Sequence, residues 1–130
     1  MKPAAFDYVR ADSVEAACAL LAEHGDEARI LAGGQSLMAV LNMRLAQPAL
    51  LIDISRSASL ARIEVRGGQL EVGASATQAA LEWRPTLTQE LPLLPLVFPH
   101  ISHVQIRNRG TVCGSVAHAD PSAELPLCLL

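Results

Sequence analysis

The chain has 130 residues, of which 51% are apolar and only 3% aromatic, with a formal charge of −3. That length holds one ordinary domain or two small lobes, built on a core of Leu, Val, Ile and Ala. The acidic balance, with an isoelectric point near 5.7, excludes the basic face that a nucleic-acid binder needs to displace counterions. No uninterrupted run of ~18 apolar residues occurs, so no membrane span is expected. Asp7 breaks the first apolar stretch before it reaches the length of a signal peptide. Cys18, Cys113 and Cys128 are odd in number, widely spaced and without a CxxC pair. They read as reduced thiols of a cytoplasmic protein.

In chain order, Phe6 to Val9 alternates as a short strand. Asp12 is placed to cap the next helix, with Glu15 as its capping-box partner. Val14, Ala17, Cys18 and Leu21 fall at i, i+3, i+4 and i+7, an apolar stripe that Gly25 terminates. Ala28 to Ala32 is a short buried strand. Ser36 to Leu45 reads as a helix carrying Leu37, Val40 and Leu41 on one face, with Pro48 beyond its end. Ala49 to Ile54 is a continuous apolar run, the pattern of a strand covered on both faces. Strand, helix, strand, helix, strand makes a small α/β lobe over residues 1–56.

Residues 57–130 read as a second lobe. A turn at Gly67-Gly68 pairs Val65 with Leu70 and Ile63 with Val72, all on one face. The same register sets Glu64 opposite Glu71, a repulsion that Arg62 or Arg66 can relieve. Thr77 caps a short helix ending at Pro85. Pro92, Pro95 and Pro99 rule out one helix from Leu91 to Ile101. Two short turns followed by an extended segment are expected there instead. Ser122 to Leu130 begins a helix capped by Asp120 or Ser122, and its apolar end suggests a truncated chain or a stump that packs on a partner.

Two small-residue loops carry the chemistry. Gly33-Gly34-Gln35-Ser36 follows a strand and opens a helix. Arg109-Gly110-Thr111-Val112-Cys113-Gly114-Ser115 leads into Ala117-His118-Ala119-Asp120-Pro121. Glycines let a phosphate approach bare backbone N–H groups, and those of Gln35, Ser36 and Leu37 start a helix whose partial charge favours an anion. Ser36, Thr111 and Ser115 add hydroxyls, and Arg109 adds charge. Two such loops suggest that both sides of a pyrophosphate are held.

Other chemistries fit less well. There is no Walker loop, no G-x-G-x-x-G and no G-x-S-x-G nucleophile elbow. His100-x-x-His103 invites a metal reading, but no closed four-ligand spacing follows it, so no metal is expected. Cys113 sits near Arg109 and N–H donors, conditions that lower a thiol pKa; a half-buried filler is the simpler reading. Trp83 and Leu93 to Phe98 read as core or as a partner surface.

Ala32-Gly33-Gly34-Gln35-Ser36-Leu37, the strand ending Asp53-Ile54, His103 to Thr111, and Gly114-Ser115 through Glu124-Leu125-Pro126 occur in collinear order. Together they resemble the FAD-binding medium subunits of the molybdenum hydroxylases, relatives of carbon monoxide dehydrogenase and xanthine dehydrogenase. The resemblance implies an α+β, vanillyl-alcohol-oxidase-like (PCMH-type) FAD-binding domain of two small lobes, with the second incomplete relative to the family. It implies FAD gripped by Leu31, Ala32, Gly33, Gly34, Gln35, Ser36, Leu37 and Met38, and by Thr111, Val112, Cys113, Gly114 and Ser115. Glu124, with Asp120 as second candidate, corresponds to the acidic residue reaching the ribityl or adenosine side, and Ile101 to a residue packing beside the cofactor. The family pattern usually has Gly at the place of Cys113. The implied partners are a molybdopterin-binding large subunit and a 2Fe-2S small subunit, with electrons passing to FAD and on to an external acceptor. No side chain is expected to act as general acid or base. The alternative is a fragment or assembly module that does not bind FAD productively.

Overall fold

A computed structural model describes residues 1–130. β1 (Asp7–Arg10) leads to α1 (Val14–His24), β2 (Ala28–Leu31), α2 (Leu37–Asn42) and β3 (Leu50–Asp53). The three strands form a parallel sheet in the order β1-β3-β2. All four residues of the central strand β3 are buried, as its apolar run requires. Leu50 and Ile52 join Ala11, Ala17, Ala28 and Ile54 in one core cluster, onto which Leu20, Leu21, Leu60 and Ala74 also pack.

Three local details differ from the sequence reading. Ser13, not Asp12, caps α1: its backbone is extended and its Oγ accepts from Ala16 N at 3.1 Å. Asp12 instead pairs with Arg10 at 3.1 Å. The buried stripe of α1 runs through Ala17, Leu20 and Leu21, while Val14 is 46% exposed and Cys18 lies in solvent. Leu20 is the larger apolar group, and turning the helix to bury it swings Val14 and Cys18 out. α2 stops at Asn42 because Arg44 adopts φ 57, with Arg44 N donating to Leu41 O and Leu45 N to Val40 O. This is a Schellman ending with arginine where glycine is usual, so the sequence did not mark it.

On the other face of β3, Tyr8 pairs beside Leu51, and its hydroxyl donates to Asp53 Oδ2 across the two strands. Asp53 Oδ1 accepts from Ser55 N at 2.7 Å. Burial pushes the Asp53 carboxyl up, but Tyr8, Ser55 and the charge of Arg56 together hold it below the usual range. The same hydrogen bond pushes the Tyr8 phenol up.

β4 (Ile63–Arg66) and β5 (Gln69–Val72) form the expected hairpin in the expected register, Val65 opposite Leu70 and Ile63 opposite Val72. Glu64 and Glu71 do face each other, and Arg66 reaches both, at 2.8 and 3.7 Å. Ile63, Leu70 and Val72 pack on a second core, whereas Val65 at the tip is exposed.

That core lies among six short helices, all but one of which give it a buried residue. They are α3 (Gln78–Glu82), α4 (Leu87–Glu90), α5 (Leu94–Val97), α6 (Val104–Arg107), α7 (Val112–His118) and α8 (Glu124–Cys128). Leu81, Leu87, Leu94, Phe98, Ile101, Val112 and Leu125 are its buried members. Each fully buried side chain of this size contributes about 2 kcal/mol. Thr77 caps α3 as expected, accepting from Ala80 N. The prolines divide 91–101 into α5 and a 3-10 turn at Phe98–His100. The segment before the second glycine loop is the helical turn α6 rather than extended chain. α8 has Ala123 at its N-cap, while Asp120 turns back onto Ser122.

α6 is fixed from inside. Arg107 is buried and forks onto Glu82 of α3 at 2.8 and 3.0 Å, and its Nη1 donates to Ile101 O at 2.9 Å. The hydrogen bonds to Glu82 push the Arg107 pKa up. Arg84 grips Glu90 in the same bidentate way and also reaches Ile63 O of the hairpin.

Two outcomes follow from these pairs. Because folding lowers the Asp53 pKa, its stabilisation is present above the unfolded carboxylate value of about 3.9 and is lost as pH falls through the folded value. Glu15, Glu90 and Asp120 shift in the same direction. Thermal melts of Tyr8→Phe between pH 2 and 7 therefore show a shallower acid limb than the wild type. Glu82→Gln leaves the Arg107 charge buried without its partner and lowers the melting temperature by roughly 10 °C or more. Surface Arg10→Gln barely changes it.

Candidate functional site

The carboxyl ends of β2 and β3 open into a cleft of about 410 Å³. Its walls are Leu31, Ala32, Gly33, Gly34, Gln35, Met38, Asp53, Ser55 and Arg109. Parallel α/β sheets hold ligands at this end of their strands, and the volume is that of a small-molecule site.

The first glycine loop forms most of the wall. Gly34 has φ 72, the left-handed region that glycine adopts freely. Gly33 is glycine for a different reason. A Cβ there would lie 2.2 Å from Arg109 O and 2.7 Å from Gly110 Cα, so the two loops touch backbone to backbone. Beyond Gly34 the chain starts to coil, with Met38 N donating to Gly34 O at 3.1 Å and Val40 N to Ser36 O at 3.2 Å. The N–H groups of Gln35, Ser36 and Leu37 are left with no acceptor in the protein. The Ser36 side chain caps nothing and lies in solvent, while Gln35 Nε2 donates to Gly33 O at 3.0 Å and braces the turn.

The second loop is more self-contained. Thr111 and Thr77 pair in an antiparallel bridge, flanked by Gln78 N donating to Gly110 O at 2.8 Å and Val112 N to Ala76 O at 3.1 Å. Thr111 is buried, and its Oγ1 caps α7 by accepting from Gly114 N at 3.0 Å. Ser115 N donates back to Thr111 O, which leaves the N–H groups of Thr111 and Cys113 unpaired in this loop. Cys113 Sγ donates to Val72 O at 3.4 Å and Gly73 O at 3.7 Å, toward the hairpin exit. Burial pushes the Cys113 thiol up, which is the filler reading and not that of a reactive thiolate.

Of the residues singled out from sequence, Leu31 to Gln35 and Met38 come together in the cleft. Ser36 and Leu37 follow directly on the same turn. Thr111, Val112, Cys113, Gly114 and Ser115 do not line it; Val112 and Ile101 are packed in the second core. Asp120 and Glu124 are exposed, outside the cleft wall. Hydrogen bonds from Ser122 hold the Asp120 carboxyl low.

The structure places Arg109, read from the sequence as adding charge, on the cleft wall, and adds Asp53, Ser55 and Gln78, which sequence reasoning left out of the site. The chain's six ion pairs engage Arg10, Arg62, Arg66, Arg84 and Arg107 and leave Arg109 unpaired at the cleft. Asp53, the one acid of the wall, has both oxygens occupied by Tyr8 and Ser55. The unpartnered groups around the site include N–H donors and one guanidinium, which suit the diphosphate of a dinucleotide, while Asp53 has its oxygens turned to Tyr8 and Ser55. Gln78, against Gly110, is buried with its Oε1 unpartnered. Such an acceptor costs about 1–3 kcal/mol. Only the GGQS turn was marked locally; Glu82 and Arg107 meet across 25 residues and carry no short-range signature.

Residues 4–130 match the family described as "FAD binding domain in molybdopterin dehydrogenase". Over all 130 residues the chain is 52% identical to the 6-hydroxypseudooxynicotine dehydrogenase complex subunit alpha of Paenarthrobacter nicotinovorans, covering 44% of that protein. It is 40% identical over 97% of its length to the carbon monoxide dehydrogenase medium chain of Hydrogenophaga pseudoflava, again covering 44%. It superposes with a TM-score of 0.91 and 42% identity on quinoline 2-oxidoreductase from Pseudomonas putida 86, covering 97% of this chain and 44% of that one. The chain thus spans less than half the length of these relatives. FAD is the cofactor of the matched domain, and the donors left free around Gly33 and Gly34 suit its diphosphate. By this match over nearly its whole length, the chain belongs to the FAD-binding domain family of the molybdopterin dehydrogenases.

Proposed function

We propose that this chain is the FAD-binding part of the medium subunit of a cytoplasmic molybdenum-containing hydroxylase or dehydrogenase. A large subunit with a molybdopterin cofactor would oxidise the organic substrate, and a 2Fe-2S small subunit would connect it to this one. Bound FAD would supply the redox chemistry, receiving electrons from the iron–sulfur clusters and releasing them to an external acceptor. The observation that carries this reading is a glycine turn on the cleft wall whose N–H groups at Gln35, Ser36 and Leu37 have no acceptor in the protein, with Arg109, free of any ion pair, on the same wall.

The chain's own part is binding and orientation. Gln35, Ser36 and Leu37 donate from the backbone to phosphate oxygens, and Arg109 neutralises their charge. Leu31, Ala32 and Met38 give the cleft an apolar wall that displaces water. The buried Asp53 carboxylate, tied to Tyr8 and Ser55, holds the sheet end in place and has no proton to exchange near neutral pH. The cofactor would lie between two lobes, residues 1–56 and 57–130; the buried residues fall into two clusters, Ala11 to Ile54 and Leu81 to Leu125, with Leu60 and Ala74 packed on the first. The other reading, a module that takes no flavin productively, has no particular observation in its favour.

The test is the absorption of the full-length subunit after desalting. Flavin bands near ~450 nm persist in the wild type. Gly33→Ala forces Arg109 and Gly110 away from the first loop, so it loses the bands and the melting temperature gained with excess FAD. A wild-type subunit that stays colourless and gains no stability with FAD would overturn the proposal.

A further inference from the structure

Gln78 stands apart from every other polar side chain of the molecule. It is 7% exposed, and its amide Oε1 is the one fully buried side-chain oxygen or nitrogen without a hydrogen-bond partner. Its Nε2 is not sealed in the same way, yet it too donates to nothing in the protein. Neither end of the amide is therefore used by the fold, although the Gln78 backbone is fixed by its N–H bond to Gly110 O.

Its position gives that side chain a direction. Nε2 lies 3.5 Å from the point where a Gly110 Cβ would stand, and Gln35 Cγ lies 3.6 Å from the same point. Gly110 Cα in turn lies 2.7 Å from where a Gly33 Cβ would stand. Gln78 and Gln35 thus both lie against Gly110, which itself touches Gly33 where the two glycine loops meet; Gln78 stands behind the cleft wall that Gly33 and Gln35 form. A leucine or methionine would fill the same buried volume without leaving an acceptor unsatisfied. An amide here is a cost to the fold, and it is explained if the accessible end binds something that is not protein.

We propose that Gln78 is a further binding residue for the cofactor, donating from Nε2 to a diphosphate oxygen of FAD at the seam between the loops. The inference rests on the FAD reading given above. It extends the donor set from the first loop and Arg109 to α3, so that the second lobe contributes a side-chain donor. The bond is of the charge-assisted kind, neutral donor to anionic acceptor.

The test uses the full-length subunit stripped of flavin, titrated with FAD and separately with ADP, which carries the diphosphate without the flavin. Gln78→Leu removes the orphan acceptor, so the apo-protein melts no lower than the wild type. Its dissociation constants for FAD and ADP both rise about tenfold. Gln78→Glu sets a carboxylate against the phosphates and weakens both ligands further than Leu does. Gln78→Met serves for Gln78→Leu if that variant does not fold. Unchanged affinity for both ligands in the apolar variant would overturn the inference and make Gln78 a packing residue. A loss confined to FAD would overturn it as well, by moving the contact from the diphosphate to the flavin. A wild type that binds neither ligand would overturn this inference together with the reading it rests on, whereas a wild type that binds both isolates the fate of Gln78.

Discussion

The site depends on a contact that contains no side chain. Gly33 lies so close to Arg109 O and Gly110 Cα that no other residue type fits there. The two loops are 76 residues apart, and each belongs to a different core cluster or its edge. Their backbone contact sets where the guanidinium of Arg109 stands relative to the free N–H groups of Gln35, Ser36 and Leu37. Even an added methyl group requires the loops to separate, because interiors packed at crystal-like density cannot absorb an overlap of that size.

Such a contact is only as exact as the framework behind each loop. The first loop is aimed by the sheet: β2 ends at Leu31, two residues before Gly33, and β3 beside it is buried along its length. The second loop has no sheet of its own. It is pinned at Gly110 to Val112 by the Thr77–Thr111 bridge, and just upstream by the Arg107–Glu82 fork inside a shell of short helices. Each of these helices is too short to be stable alone, so their order comes from the shared core around Phe98 and Leu125. The buried ion pair and the paired threonine caps supply the direction that a core of Leu and Ile alone does not specify.

Where the sequence was legible, a local rule was enough. The parallel lobe followed from a continuous apolar run at Ala49 to Ile54, and the hairpin register from Gly67-Gly68 and period-two alternation. Where it was not, two candidates competed at close range or the signal was distant. Ser13 and Asp12 are adjacent cap residues, and only the backbone angle decides between them. Arg44 in a left-handed ending looks like any helical arginine. The glycines at 33 and 34 were visible, but one of their two reasons was not: phosphate approach can be read from a turn, whereas the pressure of Arg109 on Gly33 needs the fold. Cys113 offered two readings, and the choice fell to its direction, toward the carbonyls of Val72 and Gly73 and not the loop's donors.

The same geometry leaves the cleft with donors that the fold does not use. Elsewhere the backbone forms ladders, caps and the Schellman ending at Arg44, and the second loop leaves the N–H groups of Thr111 and Cys113 free in the same way. Around Gly33 the backbone N–H groups, among them those of Gln35, Ser36 and Leu37, one guanidinium and one amide find no protein acceptor. The loop keeps its own bonds at Gly33, Gly34 and Ser36, and its remaining donors are what a ligand in the cleft would engage. On the reading proposed above, a diphosphate there would satisfy these donors and tie the sheet end to α3 and to Arg109, so that part of its affinity would appear as stability. The two glycine loops are therefore joined by a backbone contact, and the donors left free beside it are where a shared ligand would couple them.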